Sequence, residues 1–190
     1  MQAKLAEADQ MTVEEFLAFM DQRPDGERWE LIEGVAIMNA SPTDWHQTIC
    51  LNIGGELRTI KAATNATWSP ILDIGTRIPA APHSLPRPDI IVKAGAMTGK
   101  PFSDDALVLF EILSKSNSKA DRAWRKRVYT SIPNCQHYVT VSTKTAEIIR
   151  HDRAGGWTGT TLSGLDATLV LPTITAQIPL RDIYRWTPIE

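Results

Sequence analysis

The hydrophobic positions of this chain fall into short solid runs separated by longer stretches with helical spacing, which predicts strands alternating with helices. The most telling run is Ala106-Leu107-Val108-Leu109-Phe110-Glu111-Ile112-Leu113-Ser114, apolar except for one carboxylate and its final serine. A continuous apolar run of that length predicts a strand buried on both faces, in the middle of an α/β sheet. Glutamate is almost never fully buried unless something pairs with it, so Glu111 implies a strand end, a salt bridge or a metal. Asp89 keeps similar company in Arg87-Pro88-Asp89-Ile90-Ile91-Val92. Two acids entering two apolar strands could converge on one divalent cation.

The remaining pattern fills out a single mixed α/β domain over residues 1–190. Thr12-Val13-Glu14-Glu15 has the form of a capping box and opens a helix from Val13 to Asp21, closed by the turn residues Pro24-Asp25-Gly26. Residues 28–34 and 35–38 read as two strands around a glycine turn. Ser41-Pro42 then introduces a helix from Thr43 to about Ala62, with His46, Ile49, Cys50, Ile53, Leu57 and Ile60 along one stripe. Strands are expected at 71–78, 89–92 and 107–113, with a turn-rich loop at 94–105. A helix from Asn117 or Ser118 runs to about Ser131, where Pro133 stops it. Another strand follows at 137–141, then a hairpin of 146–151 with 157–162 across Gly155-Gly156, and a short helix over 180–186.

Composition narrows the function without naming it. A hydrophobic content of 43% and a charged content of 22% are those of an ordinary globular protein. With a net charge of −2, any nucleic-acid binding must use a local patch. Cys50 and Cys135 match no metal or redox spacing and read as reduced core residues of a cytoplasmic protein. Residues 1–9 lack the apolar core of a signal peptide, and no run approaches a membrane span.

Pro88-Asp89 followed by Glu111-Ile112-Leu113-Ser114 resembles the PD-(D/E)XK nuclease signature. More narrowly, several segments resemble the Uma-type family of restriction-endonuclease-like proteins. They are Glu14-Glu15-Phe16, Trp29-Glu30-Leu31-Ile32-Glu33-Gly34, Ser41-Pro42 with His46, Pro88-Asp89, Glu111-Ile112-Leu113-Ser114, and Asp121 with Tyr129 ahead of His137-Tyr138. The ordered set spans nearly the whole chain. It implies a restriction-endonuclease-like fold, a central mixed sheet flanked by helices, and Mg²⁺- or Mn²⁺-dependent cleavage of DNA. Mg²⁺ takes one or two carboxylates and keeps its other positions for water and phosphate. Asp89 and Glu111 are that minimal set, and the resemblance adds the backbone carbonyl of Ile112. The competing reading has Asp89 as a turn residue after proline and Glu111 as a strand-end ion pair.

One position departs from the signature. The usual lysine two residues after the glutamate would share its face of the strand, but here that residue is Leu113. The family often moves its lysine onto the next helix, and those offsets, counted between Asp121 and Tyr129, land on Arg125. Lys126 lies about 100° further round. Arginine can stabilise phosphoryl charge but cannot give up its proton at working pH, whereas lysine can do both where its pKa is depressed. Arg125 is the positional equivalent and Lys126 its rival; a solvated helix face is the ordinary alternative.

Lys115, Lys119, Arg122, Arg125, Lys126 and Arg127 together face a single acid, Asp121. Lys115, Lys119 and Arg122 are thus candidate phosphate contacts giving salt-dependent, sequence-independent affinity for DNA. His46 is either a satisfied core histidine or a group that polarises water or contacts phosphate. Glu30 is an additional site acid or half of a cross-strand pair. Tryptophans such as Trp45, Trp68 and Trp124 could stack on bases, though core packing also explains them. Enzymes reading symmetric sites tend to pair, so by analogy a homodimer is expected. The alternative function is a catalytically silent nuclease-like module that binds nucleic acid or a protein partner.

Overall fold

The computed structural model describes residues 10–24, 26–114 and 117–189. The expectations for residues 1–9, Asp25 and Lys115 lie outside them. Helix α1 (Val13–Met20) carries the expected capping box: the Glu15 N–H donates to Thr12 Oγ1 at 3.2 Å, and the Thr12 N–H to Glu15 Oε2 at 2.7 Å. Strands β1 (Trp29–Ile32) and β2 (Val35–Met38) follow as an antiparallel hairpin. Its two turn residues, Glu33 and Gly34, have φ of 48° and 79°, the double positive φ that matches strand twist in the tightest hairpins. Val13, Phe16, Leu31 and Leu85 close a small core under this unit.

Helix α2 (Asp44–Thr64) begins where the Thr43 hydroxyl accepts the His46 N–H and ends at Asn65 in the left-handed region. Its stripe is buried as expected, from His46 through Ile49, Cys50 and Ile53 to Leu57. The expected strand over 71–78 is two pieces, β3 (Ser69–Leu72, containing Pro70) and β4 (Gly75–Thr76). Asp73 separates them with φ of 52°, in the left-handed region that aspartate enters more readily than most residues. The chain continues through β5 (Ile90–Lys93), β6 (Phe102–Ser103), which pairs with β4 inside the expected loop, and β7 (Ala106–Leu113).

Helix α3 (Lys119–Tyr129), capped by Ser118, crosses to β8 (His137–Ser142). Then come β9 (Glu147–Asp152) and β10 (Gly159–Ser163). An antiparallel hairpin of β11 (Thr168–Leu171) and β12 (Ala176–Pro179) leads into helix α4 (Leu180–Ile183), shorter than expected.

The central sheet has six strands in the order β10-β9-β8-β7-β5-β3. The β7–β8 pair is parallel and the other neighbours are antiparallel, so the sheet is mixed. Alternation along β7 divides two cores. Val108, Phe110 and Ile112 face α2, the β11–β12 hairpin and α4, while Leu109 faces Val128 and Tyr129 of α3. Cys50 and Cys135 are both free thiols and buried. Among the described residues, no helix is long and apolar enough to cross a membrane.

Candidate metal centre

The site grows from sheet register. β5 and β7 run antiparallel, with Ile90 opposite Phe110. One step beyond, where β5 begins and β7 nears its end, Asp89 comes opposite Glu111. Side chains directly across such a pair sit within reach of each other. Asp89 is pinned there by its neighbours: Oδ2 accepts the Ile112 N–H at 2.8 Å, and its carbonyl accepts the Asp73 N–H at 3.1 Å. The left-handed turn at Asp73 therefore has a purpose in the site. Arg28 and Arg87 hold the Asp73 carboxylate at 2.8 and 3.2 Å, and both arginines line the same cleft as Asp89.

Glu111 lies only 5% exposed, and α3 supplies its partners. Arg125 Nη1 donates to Glu111 Oε1 at 3.1 Å, and the Tyr129 hydroxyl donates to the same oxygen at 2.9 Å. Arg125 Nη2 donates to Glu30 Oε2 at 2.7 Å, and its Nε to Asp121 Oδ1 at 3.1 Å. All three nitrogens of this buried guanidinium are thus committed to protein oxygens. Asn39 adds a bond to Glu30 Oε1 at 2.9 Å, and Asn117 one to Asp121 Oδ2 at 3.1 Å.

Charge is unbalanced. Glu30, Asp89, Glu111 and Asp121 line a cleft of about 960 Å³, and among the described residues Arg125 is the one arginine or lysine that pairs with any of them, while Arg28 and Arg87 on the same wall are spent on Asp73. Burial pushes the Glu111 carboxyl up to about 8; Arg125 pulls it down, while Asp89 and Glu30 push it further up. Burial likewise raises Glu30, against the pull of Arg125. The Tyr129 phenol is raised well above its ordinary range, by burial first and by Glu111 next, so it stays a donor.

The donor set suits a hard divalent cation. Such ions take carboxylate and carbonyl oxygens and need few protein ligands. Glu111 Oε2 accepts no hydrogen bond among the described residues, although Oε1 accepts two. In an extended strand the N–H and C=O of one residue point to the same side. The Ile112 carbonyl thus lies on the side from which Asp89 accepts the Ile112 N–H. His46 Nε2 sits 3.2 Å from Asp89 Oδ1, while its Nδ1 faces Cys50 Sγ at 3.7 Å. His46, Cys50 and Asp89 are near enough to suggest a metal cluster. Opposite ring nitrogens face the two partners, however, so the three form a chain that orients the Asp89 carboxylate.

Helix α3 separates the basic residues that the sequence grouped together. Arg125 is buried among the acids, with Val128 and Tyr129 three and four residues on. Lys126 and Arg122 instead line a neighbouring groove with Tyr138 and His151. Lys119 is exposed, and Arg127 approaches the exposed Glu33 at 3.8 Å. Glu30 lies beside Glu111 and Asp121, held by Arg125 from α3 and by Asn39 just past β2. Trp68 is buried in the core, and Trp124 donates to Glu33. Sequence reasoning missed Asn39, Asn117 and Lys144 on the cleft wall, because single polar residues in loops carry no periodic signal.

A six-stranded mixed sheet flanked by helices, with an acid-lined cleft at the ends of its central strands, defines a nuclease-like α/β fold. A solved structure from Anabaena variabilis ATCC 29413, titled a "putative nuclease belonging to DUF820", superposes with a TM-score of 0.75 at 17% identity, covering 93% of this chain and 98% of that one. The chain belongs to the Uma2 family, described as "Putative restriction endonuclease", whose model matches residues 13–181. No curated protein gives a significant sequence match.

Proposed function

We propose that this protein is a divalent-metal-dependent endonuclease that hydrolyses DNA phosphodiester bonds, with Asp89, Glu111 and the Ile112 carbonyl as ligands for Mg²⁺ or Mn²⁺. The observation that carries the reading is four buried and half-buried carboxylates in one cleft, three of them sharing the single guanidinium of Arg125 while Arg28 and Arg87 pair with Asp73. A divalent cation there would polarise phosphoryl oxygens and make hydroxide available near neutral pH. The chain's own residues prepare for it. His46 and the Ile112 N–H fix the two oxygens of Asp89, and Arg125 with Tyr129 fixes one oxygen of Glu111. Arg125 acts by holding Glu111 and Glu30 in place, since each of its three nitrogens already donates to a carboxylate.

The test is nicking of supercoiled plasmid in Mg²⁺ or Mn²⁺ by the wild type and by Asp89→Ala and Glu111→Ala chains that keep the wild-type circular dichroism spectrum. Loss of cleavage of at least about a hundredfold is expected. Cleavage that survives both substitutions removes the proposal.

A specific observation favours a second reading, a silent module that binds nucleic acid. Leu113 occupies the signature's lysine position, and Arg125, held by three carboxylates, does not replace its free amine. Salt-sensitive DNA binding without turnover in either metal would select this reading.

A further inference from the structure

Beside the acid cleft lies a second groove of about 510 Å³ on the α3 side of β8 and β9. Its walls carry Arg122 and Lys126 from α3 and Lys144 from the β8–β9 turn. None of these three cations has a carboxylate partner among the described residues. Glu147 is the one acid among the groove's lining residues. Tyr138 also lines the groove, and its hydroxyl is buried with no hydrogen-bond partner among the described residues. An unpaired buried hydroxyl normally costs free energy, so an orphan beside a cluster of unpaired cations points to a missing acceptor. The ring is held rigidly, edge-on to Tyr129 at 5.6 Å and stacked with His151 at 5.8 Å. Burial, and then the Lys126 charge, keep the His151 imidazole below its usual range, so near neutral pH it stacks on Tyr138 as a neutral ring. Finally, Ser114, Thr143 and Lys144 line both this groove and the acid cleft, so the two are continuous.

We infer that this groove is a phosphate subsite that seats the DNA backbone next to the bond held at Asp89 and Glu111, with Lys126, Lys144 and Arg122 facing backbone phosphate and the Tyr138 hydroxyl donating to a phosphate oxygen. The inference rests on the nuclease reading for the identity of its ligand. Its geometry does not depend on turnover.

The experiment is fluorescence anisotropy of a labelled DNA duplex with the full chain in EDTA, titrated across salt concentrations. Lys126→Ala, Lys144→Ala and Arg122→Ala should each weaken binding and flatten the plot of log affinity against log salt by about 0.9. Tyr138→Phe should weaken binding about tenfold while leaving thermal stability unchanged or raised, because it removes a hydroxyl unpaired in the free protein. Asp89→Asn, measured alongside, should bind at least as well as wild type. If all four groove variants keep wild-type affinity and salt slope, the subsite is refuted, whatever the plasmid assay gives. If they lose affinity while no metal supports nicking, the subsite stands and the cleavage reading falls.

Discussion

Arg125→Met is the sharpest probe of the site, because its cost follows from who surrounds the guanidinium. The arginine side chain is 9% exposed and contacts Glu30 at 2.7 Å and Glu111 at 3.1 Å, whose side chains are 5% and 7% exposed. Removing one partner of a buried pair costs about 3–5 kcal/mol, because the other charge is left uncompensated. Two such carboxylates lose their partner here, while Asp121, 32% exposed, falls back on water. Burial already drives Glu111 toward its protonated form, and proton uptake relieves part of the penalty. The expected loss is therefore about 3 kcal/mol, toward the lower end of that range. For a chain of this size it lowers Tm by roughly 6–12 °C. Urea denaturation in EDTA, with equal m-values as the check for two-state unfolding, reads it directly. Glu30→Gln and Glu111→Gln are the controls. Each removes one negative charge from a site with too many, so each should cost about 1 kcal/mol or less and can stabilise. Should the glutamine variants lose as much as Arg125→Met, or the methionine variant lose less than about 1 kcal/mol, the charge-excess argument is wrong.

Other outcomes follow from single features. Burial first, and the Lys126 charge next, hold His151 below the ordinary histidine value of 6.5, so it is neutral in the folded state near neutral pH and the stability it permits is complete above pH 6.5. That stability is lost as pH falls through the depressed value, and His151→Gln should flatten the acid limb of a Tm-versus-pH curve. Burial raises Cys135 to about 12, and burial followed by Asp89 raises Cys50 further, so neither thiol should react with a disulfide reagent at pH 8 until urea unfolds the chain. Ser118→Ala removes the cap of α3, whose hydroxyl accepts the Asp121 N–H at 3.0 Å. The substitution should cost about 1 kcal/mol by denaturant titration.

The sheet was legible where burial leaves a pattern. β7 announced itself by unbroken apolarity, and Glu111 stood out because a carboxylate inside such a run needs a partner. The register that brings Asp89 opposite Glu111 depends on which strands pair, and no single strand encodes that. The expected strand over 71–78 breaks at Asp73 and Ile74 and stops at Thr76; the break starts where Asp73 turns left-handed, its carboxylate held by Arg28 and Arg87 from elsewhere in the chain. Nothing was expected between Leu162 and Leu180. Yet Leu169, Leu171, Ala176 and Ile178 alternate inward, interrupted at the hairpin end by Pro172. On α3 a signal was present. Arg125 precedes Val128 and Tyr129 by three and four residues, the spacing of one helix face, which separates it from Lys126.

The sheet's two outer margins also bear on how copies of this protein can meet. One margin is β3, only four residues long and carrying Pro70, which has no N–H to offer a newcomer. The other is β10, a short polar segment of glycine, threonine and serine around a single leucine. Neither invites another strand to zip alongside, so the central sheet is guarded against growing into ribbons. A symmetric pairing would have to avoid these two margins, leaving the central ladder of each copy closed.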